Sequence, residues 1–375
     1  MKSRKSQFDY ILVIVVAVLI VLGILILANV SAIFSQEKFG KTTHYLFHQI
    51  IYGLGFGIIL GFIAFKIRLS FLKKWAWLFV LINLVFMALV FIPRLGIVSG
   101  GAPRWINLGF VSFQPSEFLK LTFILYLSAW LASRTKEASL KRTPKSWKFT
   151  LIPFLVILGI IALLLSWQSD VSTLGVIFCI AALMYFSAGT PLWHSIFIFS
   201  LGAAGIFALI KFIPYRMERI LVFLRPGTDP MGIGYQIKQA LITIGSGGIL
   251  GLGLGMSNQK FGGFLPPQTM SDSIFAIFAE ETGFIGCLVL ILLFLFFLWR
   301  GFRISKISRD KFSQFFALGI SSWIALQAFV NIGSMIGILP LTGIPLPFMS
   351  YGGSHIVAEL VGVGILLNIS RHRKK

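Results

Sequence analysis

Acidic residues are scarce in this chain. Only 12 of its 375 residues are Asp or Glu, and charged residues of both signs make up 12% of the total. A soluble domain carries about 25% charged residues, so this scarcity excludes an ordinary soluble enzyme or binding module. Hydrophobic residues reach 57%, and the mean hydropathy is +0.90. The composition predicts an all-α polytopic membrane protein, because a helix satisfies its own backbone hydrogen bonds in lipid.

Cysteine is also nearly absent. Cys179 and Cys287 both fall in apolar runs, where a buried thiol is more common than a disulfide or a metal ligand. The five histidines are scattered and show no metal-ligand spacing. The pattern therefore predicts no metal site built from these residues. The first apolar run is too long for a signal peptide, and we expect it to remain as an anchor.

Ten apolar runs are candidates for membrane spans, since about 20 residues cross a bilayer. No soluble domain interrupts them, so residues 1–375 are treated as a single transmembrane domain. A long outer segment, about 211–272, lies between the seventh and eighth spans and is expected to have its own structure. The predicted spans are 10–34, 45–65, 72–92, 117–133, 150–166, 171–188, 192–210, 273–299, 313–338 and 354–369.

The formal net charge of +21 could suggest a nucleic-acid partner, but its distribution argues against one. Most of the 33 Lys and Arg residues lie at the two termini and in the short loops between alternate spans. Short basic loops stay in the cytoplasm. The pattern predicts that both termini are cytoplasmic, and that the basic loops contact anionic membrane lipid.

The outer segment contains the run GYQIKQALITIGSGGILGLGLG, which is too apolar for a solvated loop. It predicts a short re-entrant or interfacial helix that ends near Gly247. No strand precedes the glycines and no Gly-Lys-Ser/Thr follows them, so a nucleotide-binding loop is disfavoured. Close packing against another helix is the preferred interpretation.

Asp272 stands at the start of the eighth span, in MSDSIFAIFAEETGFIG, and is the first candidate for chemistry. It could be an ordinary N-cap, or an ionised general base for a substrate hydroxyl. Glu280 and Glu281 lie about two turns deeper, where buried acids need partners. Pairing with Lys or Arg of a neighbouring helix is favoured over direct catalysis.

Glu117 and Lys120 are spaced i, i+3 on the fourth span. They could form a structural ion pair, or Lys120 could orient Asp272 or bind phosphate. Asn331 is expected to make interhelical hydrogen bonds rather than to touch substrate. Several outer cations together suit an anionic, phosphate-bearing substrate: Arg104, Arg216, Arg219, Arg225, Lys238 and Lys260.

Several long, ordered motifs carry a resemblance that covers nearly the whole chain. The chain resembles the FtsW/RodA/SpoVE family of bacterial shape, elongation, division and sporulation (SEDS) proteins, and GLGLGMSNQK is most like the division-type FtsW branch. The motifs are GAPRWINLGFVSFQPSEFLKL, PYRMERI, DPMGIGYQIKQ, IGSGGILGLGLGMSNQK, DSIFAIFAEETGFIG, LPLTGIPLPFMSYGGS and LLNISR.

The resemblance implies a ten-span glycosyltransferase that polymerises lipid II into β-1,4 glycan strands at the outer face of the bacterial cytoplasmic membrane. The implied partner is a class B penicillin-binding protein, an FtsI-like transpeptidase. The family's essential acid falls on Asp272, its helix-four pair on Glu117 and Lys120, and its GAxRW arginine on Arg104. This chain departs from the family where Pro267 replaces a Glu, and where Asp170 is kept among changed neighbours.

An α-linked lipid diphosphate that becomes a β-linked glycan requires inversion, with Asp272 expected as general base. Arg104, Arg216, Arg219 and Lys260, or a divalent cation such as Mg²⁺ or Mn²⁺, would stabilise the leaving diphosphate. Two other functions stay open at this point. One is a lipid II flippase, and the other is a non-catalytic recruiter of a cell-wall synthase.

Overall fold

The structure, a computed structural model, describes residues 8–99, 102–107, 109, 112–141, 147–212, 214–225, 232–257 and 270–372. Its elements in chain order are α1 (Tyr10–Phe39), α2 (His44–His48), a π-helix (Gln49–Gly55), α3 (Phe56–Lys66), α4 (Leu69–Leu89), β1 (Gly96–Ser99), β2 (Ala102–Asn107), β3 (Ser112–Phe113), α5 (Pro115–Lys141), α6 (Trp147–Trp167), α7 (Val171–Ser187), α8 (Leu192–Phe212), α9 (Pro214–Leu224), α10 (Ile233–Ser246), α11 (Ile274–Lys306), α12 (Lys311–Met335) and α13 (Gly353–Arg371).

Each of the ten predicted spans coincides with helical structure, and the second is built from α2, the π-helix and α3. Six helical segments in the described chain are long and apolar enough to cross a membrane; α6, α7 and α8 supply shorter apolar stretches. A largely helical, multi-pass membrane protein is therefore confirmed. The count of ten spans stays a prediction.

Helices α12 and α13 form the centre of the bundle. About 78% and 83% of their most apolar windows are buried, against 22% for α11, which turns its apolar side chains outward to lipid. Helix α13 packs closely on α3 through small residues. A Cβ on Gly364 would lie 2.1 Å from the Gly61 carbonyl oxygen, so only glycine permits this approach.

A buried cluster ties the first helix to α11 and α13. The Asp9 carboxylate caps α1 by accepting from the Leu12 N–H at 3.1 Å, and it also pairs with Arg300 of α11. The Asp9 N–H donates to Ser370 Oγ of α13 at 3.0 Å. The beginning of α1 and the end of α13 consequently lie at the same side of the bundle.

The segment between α4 and α5 forms a small antiparallel sheet in the order β1-β2-β3, which the sequence analysis does not predict. Ile97 of β1 lies opposite Trp105 of β2, and Ile106 lies opposite Phe113 of β3. The sheet therefore holds Arg104, on β2, in a fixed position next to the helix bundle.

Helix α10 ends at Ser246 with Gly247 as its C-cap, as predicted, and the glycine-rich segment 247–253 then packs on α11. Helix α11 is broken at Gly283, where φ is 66° and ψ is −168°. The backbone groups freed at the break pair with this segment. The bonds run from Leu252 N to Glu280 O (2.9 Å), Gly253 N to Glu281 O (3.0 Å), Phe284 N to Gly248 O (2.9 Å) and Ile285 N to Ile249 O (3.2 Å).

Gly283→Ala should destabilise the protein. The Gly283 backbone conformation is accessible essentially only to glycine, and a Cβ there would lie 2.3 Å from Gly251 N. We expect a loss of at least ~1–3 kcal/mol in the free energy of unfolding, measured by thermal unfolding in detergent. Gly159→Ala, at a helical glycine with nothing within 4 Å of the added Cβ, is the control and should not destabilise. Equal melting temperatures for Gly283→Ala and the wild type would contradict this account.

Candidate active site

Asp272 lies in the turn that leads into α11. The residue at the N-cap of α11 is Ser273, so the prediction that Asp272 is the N-cap is wrong by one residue. Its carboxylate is half-buried, and Oδ1 accepts a long 3.4 Å hydrogen bond from Ser271 Oγ. The carboxylate is thus engaged by groups of its own turn and stays at the mouth of the helix.

The surroundings of Asp272 favour its protonated form. Burial raises the pKa of the Asp272 carboxyl above its usual range, because it removes water from the charged form. Hydrogen bonds from residues 271–273 and the positive charge of Arg219 act in the opposite direction, without cancelling the effect of burial. Such a carboxylate is a stronger base than an exposed aspartate once it is ionised.

The segment 339–352, called here the proline loop, faces Asp272. Its prolines have no N–H, and its carbonyls are bound by side chains from three helices. A Cβ on Gly343 would lie 3.7 Å from Asp272 Oδ2, so the loop backbone runs along the carboxylate. The bonds run from Arg219 Nη1 to Leu341 O (2.9 Å), Ser172 Oγ to Thr342 O (2.6 Å), Asn331 Nδ2 to Ile344 O (2.7 Å) and Gln327 Nε2 to Pro345 O (3.1 Å).

The far end of the proline loop is bound as firmly. Tyr351 N donates to Met270 O at 2.8 Å, which joins the loop to the turn that carries Asp272. Gln49 of the π-helix donates to Ser350 O at 3.3 Å and accepts from Gly352 N at 3.0 Å. Both ends of the proline loop are therefore fixed by the protein.

Glu117 and Lys120 form a buried ion pair of 2.8 Å beneath the loop. Lys120 Nζ also donates to Gln327 Oε1 at 2.7 Å, and Gln327 in turn contacts Glu359 at 3.4 Å. Glu359 accepts from Phe348 N of the loop at 2.9 Å. Of the two alternatives for Lys120, the structure supports the structural pair, because its described contacts lead to the loop and not to Asp272.

The Glu280 side chain binds serines on either side of the glycine-rich segment, and the Glu281 side chain binds α1. Glu280 accepts from Ser257 Oγ and, at 3.3 Å, from Ser246 Oγ. Glu281 accepts from Asn29 Nδ2 at 3.3 Å. These contacts hold the first half of α11 in place. The expected pairing of both acids with Lys or Arg stays a prediction.

Arg104 binds the turn between α6 and α7 and not Asp272. Its guanidinium donates to Gln168 O at 3.0 Å and to Ser169 O at 2.8 Å. Asp170, the next residue, caps α7 by accepting from Thr173 N at 3.2 Å. Arg104 is therefore positioned to order the turn that precedes Ser172 of α7.

Of the other predicted diphosphate contacts, Arg219 donates to Leu341 O of the proline loop, and its charge lowers the pKa of Asp272. Arg216 belongs to α9, but its side chain lies outside the described residues, as do Lys260 and Pro267. The sequence analysis missed Ser172 and Gln327. A usable signal existed for Gln327, because it and Asn331 are spaced i, i+4 on an apolar helix that precedes a proline-rich loop.

The family model described as a cell cycle protein, FTSW_RODA_SPOVE, matches residues 9–375, and the chain belongs to this family. Stage V sporulation protein E of Bacillus subtilis is 38% identical over 374 residues, the full length of both chains. The probable peptidoglycan glycosyltransferase FtsW of Nitrosococcus halophilus is 37% identical and covers 93% of this chain and 88% of its own.

Solved structures agree with the family assignment. The rod shape determining protein RodA of Thermus thermophilus superposes with a TM-score of 0.71 at 26% identity, covering 98% of each chain. A chain of a peptidoglycan synthase complex, in work on the coordination of polymerization and crosslinking, superposes with a TM-score of 0.79 at 28% identity. That match covers 97% of this chain and 98% of the other.

Lys120→Met should destabilise the protein by about 3–5 kcal/mol, because it leaves Glu117 buried without its cation. The measurement is the free energy of unfolding in detergent. Lys73→Met, at an exposed lysine of α4, is the matched control and should change stability by less than about 0.5 kcal/mol. Similar losses in the two variants would show that the buried pair has no special role.

Proposed function

We propose that this protein is a peptidoglycan glycosyltransferase that polymerises lipid II into β-1,4 glycan strands at the outer face of the cytoplasmic membrane. Family membership and relatives named as peptidoglycan glycosyltransferases support the activity. The observation that carries the site assignment is the set of contacts that Asp272 makes. Its half-buried carboxylate lies against the proline loop and is held by its own turn, whereas Glu117 is paired with Lys120, and Glu280 and Glu359 bind donors from other parts of the fold.

In the proposed reaction Asp272 acts as general base. It takes the proton from the acceptor sugar hydroxyl, whose oxygen attacks the anomeric carbon from the face opposite the diphosphate. The new β-linkage forms as the bond to the diphosphate oxygen breaks. Because attack and departure occur on opposite faces, the configuration inverts.

The leaving diphosphate needs charge stabilisation more than a proton. Arg219 supplies a cation whose charge acts on Asp272, and Arg216 and Lys260 are further candidates on the same outer segment. The described residues bring no three His, Cys, Asp or Glu side chains together, so Mg²⁺ or Mn²⁺ would enter bound to the diphosphate.

The fold supports the proposed orientation and partner. The beginning of α1 and the end of α13 lie together, as expected if both termini are cytoplasmic. Asp272 and the proline loop lie at the opposite ends of their helices, on the side assigned to the outer face. The similarity to a chain of a peptidoglycan synthase complex supports a class B penicillin-binding protein as the crosslinking partner.

Asp272→Asn tests the base directly, since it keeps the shape of the side chain and removes the proton acceptor. We expect strand synthesis from lipid II by the purified full-length protein with its transpeptidase partner to fall by about 10²–10⁴-fold. Asp310→Asn is the matched control, because Asp310 caps α12 and Asn is an equally good cap. Normal polymerisation by Asp272→Asn would overturn the assignment. Lipid II scrambling without polymer in the wild type would indicate a flippase instead.

The pH dependence offers a second test. A base works only when it is ionised, and burial raises the pKa of Asp272. Activity should therefore fall as the pH drops through a value above ~4, the titration range of an exposed Asp. The measurement is the initial rate of strand synthesis against pH, with folding checked at each value by near-UV circular dichroism. A rate that stays constant down to the range of an exposed carboxyl would rule out a buried aspartate as the base.

A further inference from the structure

We propose that Asn331 is a positioning residue for Asp272, a role that rests on the proposed function. Asn331 lies on α12 and is fully buried, so it does not reach the substrate. Its amide nitrogen donates to Asp272 O and to Ile344 O, each at 2.7 Å. One side chain thus binds the backbone of the acid and the backbone of the loop that faces it.

These two bonds determine the distance between the carboxylate and the loop. Ile344 follows Gly343, the residue whose Cβ would lie 3.7 Å from Asp272 Oδ2. When the carbonyls on both sides share one donor group, the acid and the loop cannot move apart without breaking a buried hydrogen bond. A buried donor or acceptor without its partner costs ~1–3 kcal/mol, so the arrangement resists opening.

The amide oxygen of Asn331 argues against a purely structural role. Asn331 Oδ1 is buried and has no hydrogen-bond partner within the described chain. An apolar side chain at this central position would avoid the desolvation of that oxygen. The residue type is better explained by the need for a two-proton donor at this point than by packing of α12.

Asn368 of α13 provides a matched comparison. Its amide nitrogen also donates to two carbonyls, Ala64 O at 3.3 Å and Ile67 O at 2.6 Å. It is also buried, but it lies at the other side of the bundle, near the end of α13. Loss of its amide should affect stability alone.

The test compares Asn331→Leu with Asn368→Leu in the full-length protein with its partner. Both should lower the melting temperature. Asn331→Leu should also lower the rate of strand synthesis at saturating lipid II by about 10²-fold, as expected for a misplaced catalytic group, with little change in KM. The acid limb of the pH–rate profile of Asn331→Leu should move to lower pH, because a loosened loop admits water to Asp272. Among the described residues, the charged group that acts on Asp272 is Arg219 of α9. Helix α12 and the loop present the uncharged residues Asn331 and Gly343.

The proposal would be overturned if Asn331→Leu kept the wild-type rate at saturating lipid II and the wild-type acid limb, and lost only stability, as Asn368→Leu does. If Asn331→Leu does not fold, Asn331→Ser replaces it, since a hydroxyl donates to only one carbonyl; the same two readouts decide. Asp272→Asn is assayed in parallel. If the wild-type protein makes no polymer, the proposed function has failed. If Asp272→Asn is active, the assignment of Asp272 as the base has failed. If Asp272→Asn is inactive and the Asn331 variants behave as wild type, the positioning role alone has failed.

Discussion

Backbone polar groups at membrane depth must find partners within the protein, because lipid supplies none. The backbone leaves regular helix at the break in α11 at Gly283 and in the proline loop. The break is satisfied by backbone groups of the glycine-rich segment, and the loop by side chains of α7, α9 and α12. The same bonds fix the proline loop and the first half of α11. The surroundings of the proposed base therefore follow from how irregular backbone is made tolerable in a membrane protein.

The bonds also connect elements that are distant in sequence. Arg104 of β2 binds the turn that ends at Asp170, where α7 begins. Ser172 of α7 binds the proline loop. The ion pair beneath the loop reaches it through Gln327 and Glu359. For this reason, residues that the family pattern marks as important need not touch substrate. The contacts of Arg104, Glu117 and Lys120 lead to the elements that hold the proline loop.

The helices could be predicted from sequence because long apolar runs leave few alternatives. The end of α10 near Gly247 was equally predictable, since a glycine cluster stops a helix. The exact place of Asp272 was not. The run Ser271-Asp272-Ser273 offers three good N-caps in succession, and local preference does not choose among them. The β1-β2-β3 sheet and the partners of Arg104 depend on contacts with residues far along the chain, which no local pattern encodes. For Lys120 both alternatives were consistent with its spacing from Glu117, and its contact with Gln327 could not be read from that spacing.

Arg219 links the electrostatics of the base to the arrival of substrate. In the structure its charge lowers the proton affinity of Asp272, although burial has the larger effect. A diphosphate placed next to Arg219 would offset that positive charge with its own negative charges. The affinity of Asp272 for a proton would then increase in the complex with the donor lipid. The base would become strongest when the leaving group is in place. A single arginine could in this way stabilise departure of the diphosphate and strengthen the attack that causes it.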